Sequence, residues 1–268
     1  MRAFLCLCFA FALAACGGGG GDNRSATPVT SVQSPAPQFV SGNPKYADSD
    51  PVVWQGPKPW DYAVHGVDVA RYQAGLDFGK LERNGIKFAF IKATEGGDIV
   101  DPEYKTHWAR AKAAGVKRGA YHFYYWCRGP EDQAKWFIRN VAKEPSMLPP
   151  VLDVEWNHLS PTCKTRPPAA EVRAAMKTWL EMVKAHYGRT PIIYTTPDFY
   201  KRNEIWKING YHMWLRAVAR PLSEIYPGER WTFWQYSGTG RVPGAPGDID
   251  LNVFRGSEAT WNAWVARN

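Results

Sequence analysis

Short apolar runs alternate with amphipathic stretches along most of the chain, and the two periods predict different elements. Eight runs, at 65–70, 88–93, 119–124, 150–155, 191–195, 211–218, 231–236 and 248–254, have the length and composition of buried strands. Among the first five lie segments with helical spacing, at 78–84, 104–114, 130–141 and 169–187. In the longest, Val172, Met176, Trp179, Leu180 and Val183 recur at three- and four-residue steps, which places them on one helix face. Gly115 and Gly188 stand where helices of this kind end. The later strands follow one another with little room for helices. Strand–helix alternation predicts a parallel sheet, and eight strands predict its closure. The expected fold is α/β: a single TIM-like barrel of eight strands over 61–268, with helices mainly after the first five, (β/α)5(β)3.

The amino terminus follows another pattern. Arg2 precedes an apolar run over 3–15, too short to span a bilayer and suited to a signal-peptide core. It ends Leu13-Ala14-Ala15-Cys16, which resembles the lipobox of bacterial lipoproteins, where the cysteine becomes the lipidated first residue; the alternative is an ordinary signal peptide that contains a Cys. Residues 16–60, rich in Gly, Ser, Thr, Pro and Asn and lacking Ile and Leu, are expected to form a flexible linker. These features predict export across the inner membrane and a lipid anchor at Cys16, on the periplasmic face of a Gram-negative membrane. Cys6 and Cys8 leave with the signal. Cys127 and Cys163 then remain, as one disulfide in an oxidising compartment or as two buried thiols.

Composition narrows the partners. A hydrophobic fraction of 45% with 14% aromatics supports a sizeable core, and the thirteen Trp and thirteen Tyr suit packing as well as sugar binding. A net charge of +8 suits a bacterial wall or an acidic membrane; nucleic acid is not expected, because Lys and Arg are scattered and no nucleic-acid motif accompanies them.

The sharpest chemical feature is Leu152-Asp153-Val154-Glu155 at the end of the fourth strand. Residues two apart on a strand point the same way, so both carboxyl groups project from one face of the barrel. Like charges this close disfavour double ionisation, so one of the pair holds its proton near neutral pH. A carboxylic acid beside a carboxylate is what glycosidic cleavage requires; a salt-bridged pair is the structural alternative. Asp68 in the first strand and Asp250 in the last fall at equivalent heights, on strands that are neighbours if the barrel closes. The six histidines show no tight metal-ligand spacing, and no nucleophile elbow or phosphate-binding glycine loop is present, so neither metal nor cofactor is expected. His122 is either a mouth residue or a core imidazole.

Seven blocks carry a resemblance. His65-Gly66-Val67-Asp68-Val69, Phe90-Ile91-Lys92-Ala93-Thr94-Glu95-Gly96, Gly119-Ala120-Tyr121-His122-Phe123, Leu148-Pro149-Pro150-Val151-Leu152-Asp153-Val154-Glu155, Pro191-Ile192-Ile193-Tyr194-Thr195, Trp234-Gln235-Tyr236-Ser237 and Asp248-Ile249-Asp250-Leu251-Asn252 follow in order. Together they resemble the glycoside hydrolase family 25 lysozymes, the Chalaropsis-type muramidases. The resemblance implies hydrolysis of the β-1,4 bond between N-acetylmuramic acid and N-acetylglucosamine in peptidoglycan glycan strands, by a monomer. It implies Glu155 as general acid and Asp153 as a second carboxylate that positions the 2-acetamido group or stabilises positive charge. Asp68 and Asp250 would line the catalytic cleft, with substrate contacts from Glu95, Tyr121, Phe123, Tyr194, Trp234 and Gln235. One departure is Trp214-Leu215-Arg216, where many members have Ala in place of the arginine. The rival readings are a non-catalytic murein-binding lipoprotein and a chitinase-like glycosidase, although the DxxDxDxE run of the latter is missing.

Overall fold

The inward-facing positions of eight strands account for the architecture. The computed structural model describes residues 45–268 apart from positions 55, 159 and 219. The expected signal peptide (1–15), lipidated Cys16 and the linker as far as residue 44 lie outside the described residues. The barrel strands are β2 (His65–Val69), β3 (Ile86–Glu95), β5 (Lys117–Phe123), β6 (Val151–Val154), β7 (Ile192–Thr195), β8 (His212–Arg216), β9 (Phe233–Arg241) and β10 (Ile249–Phe254). Two short strands accompany them, β1 (Ala47–Asp48) on β9 and β4 (Ile99–Val100) on β3. Each barrel strand pairs with the next, and β10 returns to β2.

Every pairing between successive barrel strands from β2 to β9 is parallel, whereas β10 runs antiparallel to both neighbours. The fully parallel sheet expected from strand–helix alternation is corrected at this strand. Only residues 242–248 join β9 to β10, too few for the crossover that a parallel pair requires.

Five helices follow the first five barrel strands: α1 (Phe78–Arg83), α2 (Tyr104–Ala113), α3 (Pro130–Asn140), α4 (Ala169–Tyr187) and α5 (Pro197–Arg202). After β8 there is one turn, α6 (Leu222–Ile225). A final helix, α7 (Glu258–Arg267), was not expected from the sequence; Ser257 caps it by accepting the Thr260 N–H at 3.2 Å.

Inside the barrel, Phe88, Phe90, Val151, Ile192, Phe233 and Phe254 pack with Trp261 and Trp264 of α7, which close the end where the parallel strands begin. Gly66 makes room for them: a Cβ there would lie 2.4 Å from the Phe88 ring. A second apolar layer, between strands and helices, holds Trp179, Leu180, Phe137 and Ile193.

The linker boundary at residue 60 also needs correction, because residues from 45 onward belong to the fold. Asp48 accepts hydrogen bonds from Ser237 and Thr239 at 2.5 and 2.6 Å, Tyr46 donates to the Asn84 carbonyl, and the Trp54 ring packs 5.3 Å from Trp234. The aromatic anchors hold this segment without any hydrophobic periodicity.

Candidate active site

At the other end of the barrel the inward positions become polar. Along β3, Phe88 and Phe90 are followed on the same side by Lys92; along β6, Val151 by Asp153 and then Glu155; along β8, Trp214 by Arg216. Lys92, Asp153, Glu155, Trp214 and Arg216 line a cleft of about 510 Å³ at the carboxyl ends of the parallel strands, together with Asp68, Glu95, Tyr121, Phe123, Tyr194, Gln235 and Asp250. Reversal of β10 puts Asp250 at this mouth although it opens its strand, in register with Asp68.

A hydrogen-bond network fixes Asp68. Tyr194 OH donates to Gln235 Oε1 at 2.8 Å and Trp214 Nε1–H to Asn252 Oδ1 at 2.7 Å. Both amides are thereby oriented with their NH2 groups toward Asp68 Oδ2, at 2.9 and 2.7 Å. Burial nevertheless raises the Asp68 carboxyl to about 6, against the pull of Asn252, Gln235 and Arg216. Five acids share the cleft with three cations, Arg71, Lys92 and Arg216, and Lys92 is already paired with Glu95. Burial raises Glu95 as well, but Lys92 and the Tyr125 hydroxyl at 3.1 Å outweigh it and hold this carboxyl below its ordinary value.

The other three acids retain protons more tightly than free carboxyl groups do. Asp153 is raised well above the usual range by burial and by Glu155, and its Oδ1 is buried with no hydrogen-bond partner among the described residues. Burial also raises Glu155, while Arg216, His158 and Lys92 partly offset it. Asp250 is raised well above the usual range by burial and by Asp68. Both members of the pair are thus pushed toward the protonated form, by burial first. Glu155 is the partly exposed member and opens on the cleft, whereas Asp153 is 7% exposed.

The sequence profile of Glycosyl hydrolases family 25 matches residues 67–245. The chain belongs to this family. Lysozyme M1 of Streptomyces globisporus is 34% identical over 210 residues, 73% of this chain and 69% of that protein. The uncharacterized protein YegX of Escherichia coli K12 is 37% identical over 214 residues, 77% of this chain and 75% of the relative. Among solved structures, a family 25 glycosyl hydrolase from Bacillus anthracis superposes with a TM-score of 0.68 at 35% identity, covering 76% of this chain and 94% of that one.

For this family 25 glycoside hydrolase the structure brings together nearly all the residues singled out from sequence. Asp68, Glu95, Tyr121, Phe123, Asp153, Glu155, Tyr194, Gln235 and Asp250 all line the one cleft. Trp234 does not. It is 1% exposed, donates to the Ala217 carbonyl at 2.9 Å and packs outside the barrel against Trp54, Tyr62 and Trp231. Strand parity explains the correction: Gln235 faces inward, so its neighbour must face outward, and the indole in the cleft is Trp214. His122 is a core imidazole, hydrogen-bonded to Thr94 and Gln133 and stacked on Trp179, with burial lowering its pKa to about 3. Sequence reasoning missed Lys92, Tyr125 and Asn252 as site residues. The same parity would have found Lys92, two positions beyond Phe90, and Asn252, two beyond Asp250.

Cys127 and Cys163 form a disulfide with Cα atoms 5.6 Å apart, tying the loop after β5 to the loop after β6 at the mouth. The second loop begins with Glu155, whose carbonyl also accepts Trp126 Nε1–H at 2.9 Å. Both links restrain the backbone that carries the outer acid.

Proposed function

We propose that this family 25 enzyme is a muramidase that hydrolyses the β-1,4 bond between N-acetylmuramic acid and N-acetylglucosamine in peptidoglycan. The observation that carries the reading is the Asp153/Glu155 pair directed into an open cleft whose acids outnumber its cations, so that protons are retained on carboxyl groups beside carboxylates. Glu155, the more accessible member, donates its proton to the departing glycosidic oxygen. Asp153 acts from below. Its unpartnered Oδ1 is an acceptor in need of a donor, and the 2-acetamido N–H of a bound sugar supplies one, favouring the ionised form when substrate is present. Asp68, held by two oriented amides, and Asp250 beside it add the negative field that a developing oxocarbenium ion requires. Arg216 limits the cost of this cluster by lowering the pKa values of Asp68, Glu155 and Asp250. The name of the Streptomyces relative supports the same activity.

The enzyme acts outside the cytoplasm, anchored through a lipid on Cys16. A Cys16→Ser variant is expected in the soluble fraction, with no label from palmitate. The activity itself is tested by mass analysis of fragments released from defined murein. Products with N-acetylmuramic acid at the reducing end are expected; N-acetylglucosamine ends, or no new ends, would refute the assignment.

A further inference from the structure

A cavity larger than the catalytic cleft lies elsewhere on the fold. It is a groove of about 1070 Å³ on the outer wall of the barrel, and it shares no residue with the cleft at the mouth. Its place follows from the fold. β8 is followed by a single helical turn, so the outward face of that strand, at Met213, lacks the full helix that covers the earlier strands. The segment from Pro197 to Tyr211 forms one wall, and residues 220–230 form the other.

The groove presents an indole in an unusual way. Trp206 is 45% exposed, and only Val53 and Tyr72 are comparably exposed large apolar side chains among the described residues. Tyr72 lines the catalytic cleft, so the exposed large rings mark the two cavities. Trp206 rides on a short turn, Ile205–Lys207, that begins at Glu204 with φ 52°. Glu204 is the one non-glycine residue with positive φ among the described residues. Such a conformation persists only where its surroundings enforce it. Here Arg173 and Lys207 both bind Glu204 Oε2 at 2.8 Å, while Ile205 is buried beneath. Behind Trp206, Tyr200 lies 5.5 Å away and packs edge-on against Tyr226, which is itself tied to the barrel by the Arg216 carbonyl.

Charge supplies the second half of the recognition. Lys201, Arg220 and Arg230 line the groove, and none of their side chains has an ion pair or hydrogen bond among the described residues. Of the two acids there, Glu229 already accepts the Tyr200 hydroxyl and the Arg230 backbone N–H, and Glu224 is exposed. An aromatic face stacks on the C–H face of a pyranose, and free guanidinium groups bind carboxylates. We infer that this groove is a second, non-catalytic binding site for a peptidoglycan strand, with a sugar on Trp206 and the carboxylates of the peptide stems on Arg220 and Arg230. The inference rests on the muramidase reading for the identity of the polymer. The site would keep the enzyme on insoluble wall between cuts, raising the local substrate concentration at the cleft.

The test compares the full-length wild type with Trp206→Ala, Trp206→Tyr and an Arg220→Glu/Arg230→Glu double variant. Retention on purified sacculi in the cold and initial rates on sacculi and on short soluble glycan fragments are measured. Trp206→Ala and the double variant are expected to lose about tenfold in retention and in rate on dilute sacculi, with rates on soluble fragments unchanged and Trp206→Tyr close to wild type. Unaltered retention in both impaired variants overturns the proposal, as does an equal loss on soluble fragments, which would signal a structural role. Loss of binding to anionic phospholipid vesicles with sacculus retention intact would overturn it in favour of a membrane surface. A wild type that cuts neither substrate would refute the muramidase reading, while the retention comparison would still decide whether the groove binds wall.

Discussion

The two ends of the barrel interior are built from the same strands and face opposite demands. At the closed end Phe88, Phe90, Phe233 and Phe254 meet Trp261 and Trp264, and every inward side chain adds to burial. At the open end the next inward positions on those strands carry Lys92, Gln235, Asn252 and Asp250, with Asp153, Glu155 and Arg216 from the strands opposite. One end supplies the apolar burial that drives folding. The other holds buried like charges, which no structural purpose requires and which the first end must offset. Stability and chemistry are separated along each strand by one alternation of the pleat.

This contrast can be broken most severely at Glu155. Replacing it with Gln should leave the fold intact by circular dichroism and reduce murein hydrolysis by at least ~10³-fold, the scale associated with loss of a positioned general acid. Near-wild-type turnover would remove the outer acid from the mechanism. The opposite end responds in the opposite way. Phe90→Ala, inside the closed end, should cost about 3–5 kcal/mol in denaturant unfolding while the molecules that remain folded keep their activity.

The acidic mouth should also behave as a source of instability. Asp68 titrates near 6 in the folded chain rather than at its ordinary 3.8, and Asp153, Glu155 and Asp250 are raised as well. The folded state therefore binds these protons more tightly than the unfolded state does. Their contribution to stability is greatest below the unfolded pKa and is lost as pH rises, for Asp68 between about 4 and about 6. Asp250→Asn removes one such charge and should raise stability at pH 7 by ~0.5–2 kcal/mol, read from thermal melts, at the expense of activity. No gain in melting temperature would mean that the cluster is better compensated than its burial suggests. The smallest effect is expected from Arg216→Met. Arg216 lowers the pKa values of Glu155, Asp68 and Asp250, so both limbs of the pH–rate profile should move to higher pH by ~0.5–1 unit. A shift to lower pH would contradict the placement of the guanidinium among the acids.

Much of this is legible in the sequence. Strand and helix periods located the eight barrel strands and four of the five helices that follow them, and the i, i+2 spacing of Asp153 and Glu155 placed both at one mouth. The misreadings share a cause: each concerned a direction or a partner that lies far away in sequence. Trp234 belongs to a motif that resembles the family's, yet its side of β9 follows from the inward position of Gln235. The reversal of β10 was implied by the seven-residue connection before it but is settled by its pairing with β2. The segment from residue 45 to 60 has no periodicity because isolated aromatic residues hold it, Tyr46 against Asn84 and Trp54 against Trp234, far away in sequence.

By itself the sequence determined the class of fold, the order of its elements and the acid pair, because hydrophobic period and side-chain parity are local properties of a chain. Only the tertiary structure decided which charges share the cleft. The pairing of Asp68 with Asp250, the two amides that hold Asp68, and the presence of Arg216 among the acids arise from barrel closure, which brings together residues nearly two hundred positions apart. The outer groove has the same origin. It exists because the helices stop before the strands do, and Trp206 acquires significance only from the neighbours that closure gives it.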